Sequence, residues 1–380
     1  MRILLIGEYS RLHNSLKEGL QNLGHEVTII GSGDGFKKYP IDIEIKGVFN
    51  NSYLKKIRTL IYRLTNIDLD SIIKHNQLKK ELKKLGQFDI TQLISENSLG
   101  TIPKYEIKSL AYILKHTKKL FILSCGIDYY SIKYMVERKF KYSFLDPFLE
   151  GKSNKKKYQF ILSQLEEEHV KLHNFAYSNC NGILASDMDY HLPLKGNKKY
   201  LGLMPNPINT KNIEFIPNFV NDKIKIFHGV NIKAQHKKGN KYFFEALEII
   251  NKKYSDKIEI HTTYSVPYEE YIKLYNDCHI LLDQVYGYDQ GFNALEAMAK
   301  GKVVFTGAEK EWLEYYNLKE DTVAINATPN TKQIVDKLEW LILNPQKISE
   351  ISKNARAFIE KEHNYIEIAK KYINTWTTAN

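Results

Sequence analysis

The run from Gln290 to Gly307, Gln-Gly-Phe-Asn-Ala-Leu-Glu-Ala-Met-Ala-Lys-Gly-Lys-Val-Val-Phe-Thr-Gly, constrains this chain more than any other segment. It reads as a tight loop opening an amphipathic helix, followed by a short apolar strand. Gly291 allows close approach to the backbone. The free N–H groups of the first helical turn, at its positive dipole end, can therefore face a phosphate or a sugar hydroxyl. Glu296 follows about a turn and a half later, where a carboxylate can accept two neighbouring hydroxyls. An ordinary β-α-β crossover with a solvated glutamate has the same spacing.

The rest of the chain repeats this alternation. Ile3-Leu-Leu-Ile6, a turn at Gly7, a helical stretch through Leu12, Leu16, Leu20 and Leu23, a stop at Gly24 and then Val27 to Ile30 form a β-α-β start. Strand-like runs recur at 41–45, 88–94, 120–124 and 182–185, and a second series begins at Lys223 and continues near 258–261, 280–283 and 303–306. Such alternation predicts an α/β protein with parallel sheets wrapped by helices. The two prolines of Met204-Pro-Asn-Pro-Ile-Asn209 forbid helix and mark the boundary between domains 1–206 and 207–362. Beyond Asn330 the pattern is helical, broken near Asn344-Pro345 and His363.

At 380 residues and 43% hydrophobic content the chain can bury two cores. Its three cysteines, Cys125, Cys180 and Cys278, are odd in number, widely spaced and free of any C-x-x-C pair, which supports neither a disulfide framework nor a zinc site and fits the cytoplasm. No apolar run approaches the ~20 residues of a membrane span. A formal charge of +11 favours anionic partners: nucleoside diphosphates, phospholipid surfaces or nucleic acid. In 53–84, nine Lys and Arg face three Asp and Glu, without a nucleic-acid motif. Within it, Leu54, Ile57, Ile61 and Leu64 recur at helical spacing among Lys55, Lys56, Arg58 and Arg63. That pattern suits either an in-plane helix on an anionic membrane or a core-facing stripe with solvated cations.

The segment Asn293-Ala-Leu-Glu296-Ala-Met-Ala-Lys-Gly301 resembles the donor-binding motif of the GT-B glycosyltransferases, in the retaining, family-four-like branch (glycosyl transferases group 1), and Pro205-Asn-Pro-Ile208 resembles their interdomain segment. The resemblance implies two Rossmann-like domains facing across a cleft, with helix 363–380 crossing back to the first domain. It implies a nucleotide diphosphate sugar bound by the second domain and a glycan or lipid-linked acceptor presented by the first, with no metal and no cofactor beyond the donor. The donor set carried over is His228, Gly229, Asn231, Lys233, Lys238, Tyr264, Val266, Tyr288, Asp289, Gly291, Phe292, Asn293 and Glu296. Relatives place a first Glu at the position of Tyr288, beside Asp289. They also place an Arg where Val230 stands, so Lys233 or Lys237 is left to replace that cation while Lys238 matches the second. Tyr264 and Val266 are placed beside the base, where a packed turn fits equally.

In the first domain, Gly7-Glu-Tyr-Ser-Arg-Leu-His13-Asn14 lacks G-x-G-x-x-G, which weakens a dinucleotide reading. Arg11, His13 and Asn14 are the acceptor-side candidates, with His13 also fitting helix surface. The glycine-rich Gly31 to Gly35 reads as a loop. Asp128, after Phe121-Ile-Leu-Ser-Cys125-Gly-Ile, is a catalytic candidate beside Lys238 and His13, or else a helix N-cap. His169 and His173 have metal-like spacing but read better as a charged helix face. The leading expectation is retaining, metal-independent glycosyl transfer in cell-surface polysaccharide or glycoconjugate synthesis, with peripheral attachment to the inner face of the membrane. A nucleotide-sugar epimerase of the same fold is the alternative, and a nucleic-acid-binding protein ranks below both.

Overall fold

A computed structural model describes residues 1–33, 39–49 and 51–379; Asp34 and Gly35 of the glycine-rich loop lie outside the described residues. The first sheet contains β1 (Arg2–Ile6), β2 (Glu26–Gly31), β3 (Ile43–Glu44), β4 (Phe88–Leu93), β5 (Thr117–Ser124), β6 (Gly182–Ala185) and β7 (Tyr200–Leu203), in the order β3-β2-β1-β4-β5-β6-β7. The second contains β8 (Ile224–Val230), β9 (Ile258–Tyr264), β10 (Ile280–Leu282), β11 (Val303–Thr306) and β12 (Ile325–Asn326), in the order β12-β11-β10-β8-β9. Among the described residues every strand pair is parallel.

Parallel strands are covered on both faces, which is why β1, β6, β10 and β11 read as unbroken apolar runs rather than alternating ones. The strand order reverses between β1 and β4 in the first sheet and between β8 and β10 in the second. At such switch points the connections leave toward opposite faces, opening a crevice beyond the carboxyl ends of the strands.

Four long-range contacts tie the C-terminal helix Tyr365–Thr378 and the turn before it to the first sheet's layer. The Ile208 N–H donates to the His363 carbonyl at 2.7 Å, and the His363 Nδ1–H donates to the Asn206 carbonyl at 2.8 Å, so the proline segment is pinned to the turn before this helix. Gly19, in the helix Leu12–Asn22, faces the Tyr365 carbonyl so closely that a Cβ there would overlap it. Trp376 is fully buried with its ring 6.2 Å from that of Phe121 on β5.

Candidate functional site

The helix Phe292–Ala299 begins at Gly291, whose φ of −72° is ordinary and whose side-chain direction is open space. The fold alone therefore does not demand glycine there. Phe292 and Glu296 on this helix share a small cleft with Arg11 and Ser15 of the first domain and Asn209 of the connecting segment. Arg11, in a left-handed conformation (φ 76°), opens the helix Leu12–Asn22 and pairs with Glu18 at 2.8 Å, while the other Glu18 oxygen accepts from the Asn209 amide at 2.7 Å. A cation from one domain thus stands across from a carboxylate of the other.

Lys238 ends the short helix Gln235–Lys238, and its ammonium lies 2.8 Å from Oδ1 of Asp283, directly after β10. The same Oδ1 accepts from Asn293 Nδ2 at 3.1 Å, and Asn293 Oδ1 takes the Tyr271 hydroxyl proton at 3.1 Å. Gly229 is needed because the Tyr271 ring lies where a Cβ would be. Around the β8/β10 switch point the structure therefore gathers Gly229, Lys238, Asn293 and, on the next turn of the same helix, Glu296. Asn231 and Lys233 lie on the exposed loop beyond β8, with the Lys233 N–H donating to the Asn231 side chain. Lys237 is half-buried, and desolvation lowers its pKa. Tyr264 is exposed, its ring parallel to that of Phe244 at 6.1 Å, and Val266 is half-buried beside it.

Several candidates sit elsewhere than their sequence positions suggested. His228 is buried with its ring against Phe243 and Phe244 at 5.4 and 4.9 Å, and burial lowers its pKa to about 4, so its imidazole is core rather than ligand-facing. Tyr288 is buried between Phe140 and Tyr142, its hydroxyl accepting the Lys141 N–H at 2.5 Å. Asp289 is also buried, accepting from the Gln290 N–H at 2.6 Å and the Met188 N–H at 3.2 Å; desolvation raises its pKa to about 7. Both residues clasp the first domain instead of facing open space. Lys141 and Tyr142 add to this clasp by reaching Glu309, each at 2.7 Å.

His13 is not helix surface. It is fully buried, Nδ1–H donating to the Gly7 carbonyl at 2.7 Å and Nε2 accepting from Gln92 at 3.2 Å; burial lowers its pKa to about 4 and keeps it neutral. Asn14 gives both its amides to Glu8, at 2.6 and 2.8 Å. Asp128 is the buried N-cap of the helix Tyr129–Val136, accepting the Ser131 N–H at 2.7 Å and the Ser124 hydroxyl, and burial raises its pKa. That capping role accounts for the residue and leaves Asp128 no free face for catalysis.

His173 is buried, Nδ1 donating to Glu96 at 2.5 Å with its ring stacked on Tyr129 at 4.3 Å, so it is no part of a charged helix face. Among the described residues no group of three or more His, Cys, Asp or Glu is arranged to hold a metal. The structure does bring Asp187-Met-Asp189, an Asp-x-Asp that local pattern leaves unremarked, against the Tyr288–Asp289 loop. Asp189 accepts the Tyr288 N–H at 3.2 Å and Asp187 caps the helix Met188–Leu194.

The helix Ser52–Thr65 buries none of its residues. Leu54, Ile57 and Ile61 are half-buried and face inward with Arg58, whose guanidinium grips Asp68 at 2.5 and 2.6 Å. At about 100° per residue a second face carries Tyr53, Lys56, Leu60, Arg63 and Leu64, and there Tyr53 is 73% and Leu64 76% exposed. The apolar stripe legible in the sequence is thus mostly the inward one, and Arg58 is committed to a buried carboxylate. No helix among the described residues is long and apolar enough to cross a membrane.

Two parallel-sheet domains meeting across a cleft, with a helix N-terminus and a lysine at the second domain's switch point, are the GT-B architecture, and comparison with known proteins agrees. Residues 233–374 match a family described as glycosyl transferase-like. The whole fold is similar to sucrose-phosphate synthase from Thermosynechococcus elongatus (12% identity, 99% of this chain and 98% of that one, TM-score 0.63). It is similar as well to HepE from Anabaena in complex with UDP and glucose (11%, 100% of both chains, TM-score 0.61), and to UDP-GlcNAc 2-epimerase from Neisseria meningitidis bound to UDP-GlcNAc (13%, 99% of both, TM-score 0.52). No curated protein matches the chain. The fold is therefore of the GT-B type, and its second half carries the glycosyl transferase-like match.

Proposed function

We propose that the protein transfers a sugar from a nucleoside diphosphate donor to a glycan or lipid-linked acceptor, with retention and without a metal. The donor would lie in the second domain, 207–362, and the acceptor against the first, 1–206, completed by the returning helix. One arrangement carries this reading: the N-terminus of the helix Phe292–Ala299 at the β8/β10 switch point, with Lys238 beside it and Glu296 facing Arg11 across the cleft. Helix dipole and ammonium together can stabilise the departing diphosphate, the task a metal performs elsewhere. In this reading Glu296 holds the ribose hydroxyls, while Asn231, Lys233, Tyr264 and Val266 line the nucleotide. Arg11, which lines the cleft with Glu296, is the acceptor-side residue of this reading.

The second reading, a nucleotide-sugar epimerase, is favoured by the similarity to the Neisseria enzyme across the whole chain. A thermal-shift panel of nucleoside diphosphates names the donor class, since a ligand that binds only the folded state raises the melting temperature. UDP, held by HepE, is the first to test. Incubation with labelled donor then separates the readings: transfer that requires added acceptor supports the first, and a changed sugar on intact nucleotide without acceptor supports the second.

We further propose peripheral contact with the acidic cytoplasmic face of a membrane through the helix Ser52–Thr65, a placement that suits a lipid-linked acceptor. Residues 45–67 contain no Asp or Glu, so the outer face with Lys55, Lys56 and Arg63 is uniformly cationic beside its exposed apolar side chains.

A further inference from the structure

Asp283 follows β10 at the switch point of the second sheet, the place where a parallel sheet receives its ligand. Its side chain is 2% exposed, while that of its partner Lys238 is 33% exposed. The pair is therefore sealed on the carboxylate side and open on the ammonium side. Two further bonds fix the geometry: the Lys238 carbonyl accepts the Val285 N–H at 2.9 Å, and Asp283 also receives Asn293, the second residue of the Phe292 helix. Asn293 is itself held by the Tyr271 hydroxyl, and its carbonyl takes the Tyr275 hydroxyl at 2.8 Å. One buried carboxylate thus joins the lysine loop, the end of β10 and the helix N-terminus, three separate elements that meet at the switch point.

An ammonium has three N–H donors and no acceptor. With one donor spent on Asp283, the others remain for a phosphate oxygen approaching from the open side. The carboxylate also offsets part of the lysine's charge, which weakens its attraction for a resting diphosphate. That attraction grows as the sugar departs and negative charge accumulates on the diphosphate. An interaction that strengthens from ground state to transition state raises turnover, whereas one of constant strength only tightens binding.

We propose that Asp283 is a positioning residue of the donor site: it fixes the Lys238 ammonium at the mouth of the switch point, where charge builds on the departing diphosphate, while its own negative charge limits how tightly the nucleotide is held. This rests on the proposed glycosyl transfer. In Asp283→Asn the amide keeps an oxygen for hydrogen bonding but removes the negative charge, freeing the lysine.

The test compares the full chain with D283N, K238M and the double variant, measuring UDP affinity by calorimetry and turnover with the nucleotide sugar that the parent uses. The expected result for D283N is UDP bound about threefold to tenfold more tightly, turnover lowered about tenfold or more, and little further loss of turnover when K238M is added. Weaker UDP binding with a lowered melting temperature and losses that add to those of K238M would mark Asp283 as a structural ion pair and overturn the proposal. So would parent-like turnover. Should D283N fail to fold, Asp283→Glu retains the charge and displaces it by one methylene; lowered turnover at unchanged UDP affinity is then expected, and unchanged turnover overturns the proposal. A parent that binds no nucleoside diphosphate refutes the glycosyl-transfer reading itself, whereas a parent that transfers while D283N matches it refutes only the role of Asp283.

Discussion

Asp289 accepts the backbone N–H of Met188 at 3.2 Å, and one residue earlier Tyr288 donates its own N–H to the Asp189 carboxylate at 3.2 Å. Each domain supplies a carboxylate to the other's backbone. The loop that leads into the donor helix is therefore fastened to the first domain at the point where the cleft ends. Desolvation raises the pKa of both Asp189 and Asp289 to about 7 and that of the adjacent Asp187 well above the usual carboxylate range, with neighbouring carboxylates adding to the shifts of Asp187 and Asp189.

The clasp makes stability depend on pH. A carboxyl whose folded pKa is raised binds its proton more tightly in the folded state. Its contribution is full below the unfolded value of 3.8 and is lost as pH rises through about 7. Buried His13 and His363, lowered to about 4, act oppositely: their contribution is present above 6.5 and is lost as pH falls toward 4. Asp289→Asn is expected to flatten the decline of melting temperature between about pH 4 and 7 relative to the parent, whatever it does to the absolute value. Parallel profiles for the two proteins would separate Asp289 from this pH dependence.

Glu296→Ala is expected to weaken donor binding by ~2 to 4 kcal/mol, the worth of two charge-assisted hydrogen bonds, at unchanged melting temperature. Calorimetry with the nucleotide sugar identified by the thermal-shift panel measures this. Affinity equal to the parent's would remove Glu296 from the donor site.

Chelation is expected to leave transfer intact. Asp187-Met-Asp189 makes this a pointed test, because both carboxylates lie at the domain junction although each already accepts a backbone N–H. Loss of activity with a chelator and its restoration by a divalent ion would assign these aspartates a metal role.

Gly19→Val places a branched side chain against the Tyr365 carbonyl and Ala369. Overpacking of this kind costs roughly 1 to 3 kcal/mol. The expected outcome is a lower melting temperature together with faster proteolysis beyond Asn364, as the returning helix loosens. Unchanged cleavage there would show that the Trp376 end alone anchors the helix.

Replacing Lys55, Lys56 and Arg63 with Gln is expected to abolish sedimentation with acidic liposomes while leaving nucleotide binding unchanged. Each cation near an anionic surface contributes about 1 kcal/mol, and the parent's binding should fall with added salt. Arg58 is left in place because it holds Asp68. Equal sedimentation of parent and variant, or none by the parent, would leave the helix without a lipid partner.

Local pattern determined much of this molecule. The apolar runs of β1, β6 and β11, the stop at Gly24, the breaks at Asn344-Pro345 and His363 and the loop-helix-strand unit from Gln290 all follow from period, caps and prolines within a few residues. What only the tertiary structure decided lies between residues far apart in the chain. Met188 and Asp289 are 101 positions apart, and no spacing rule links them. β7 and β12 are too short and weakly apolar to stand out until a neighbouring strand pairs with them. His13 reads as an acceptor-side group or helix surface until Gly7 and Gln92 close around its ring, and Asp283 reads as the polar end of a strand until Lys238 and Asn293 arrive from two other elements. Backbone periodicity is a local property of the chain, whereas the burial and partner of a polar side chain depend on which distant segment packs over it.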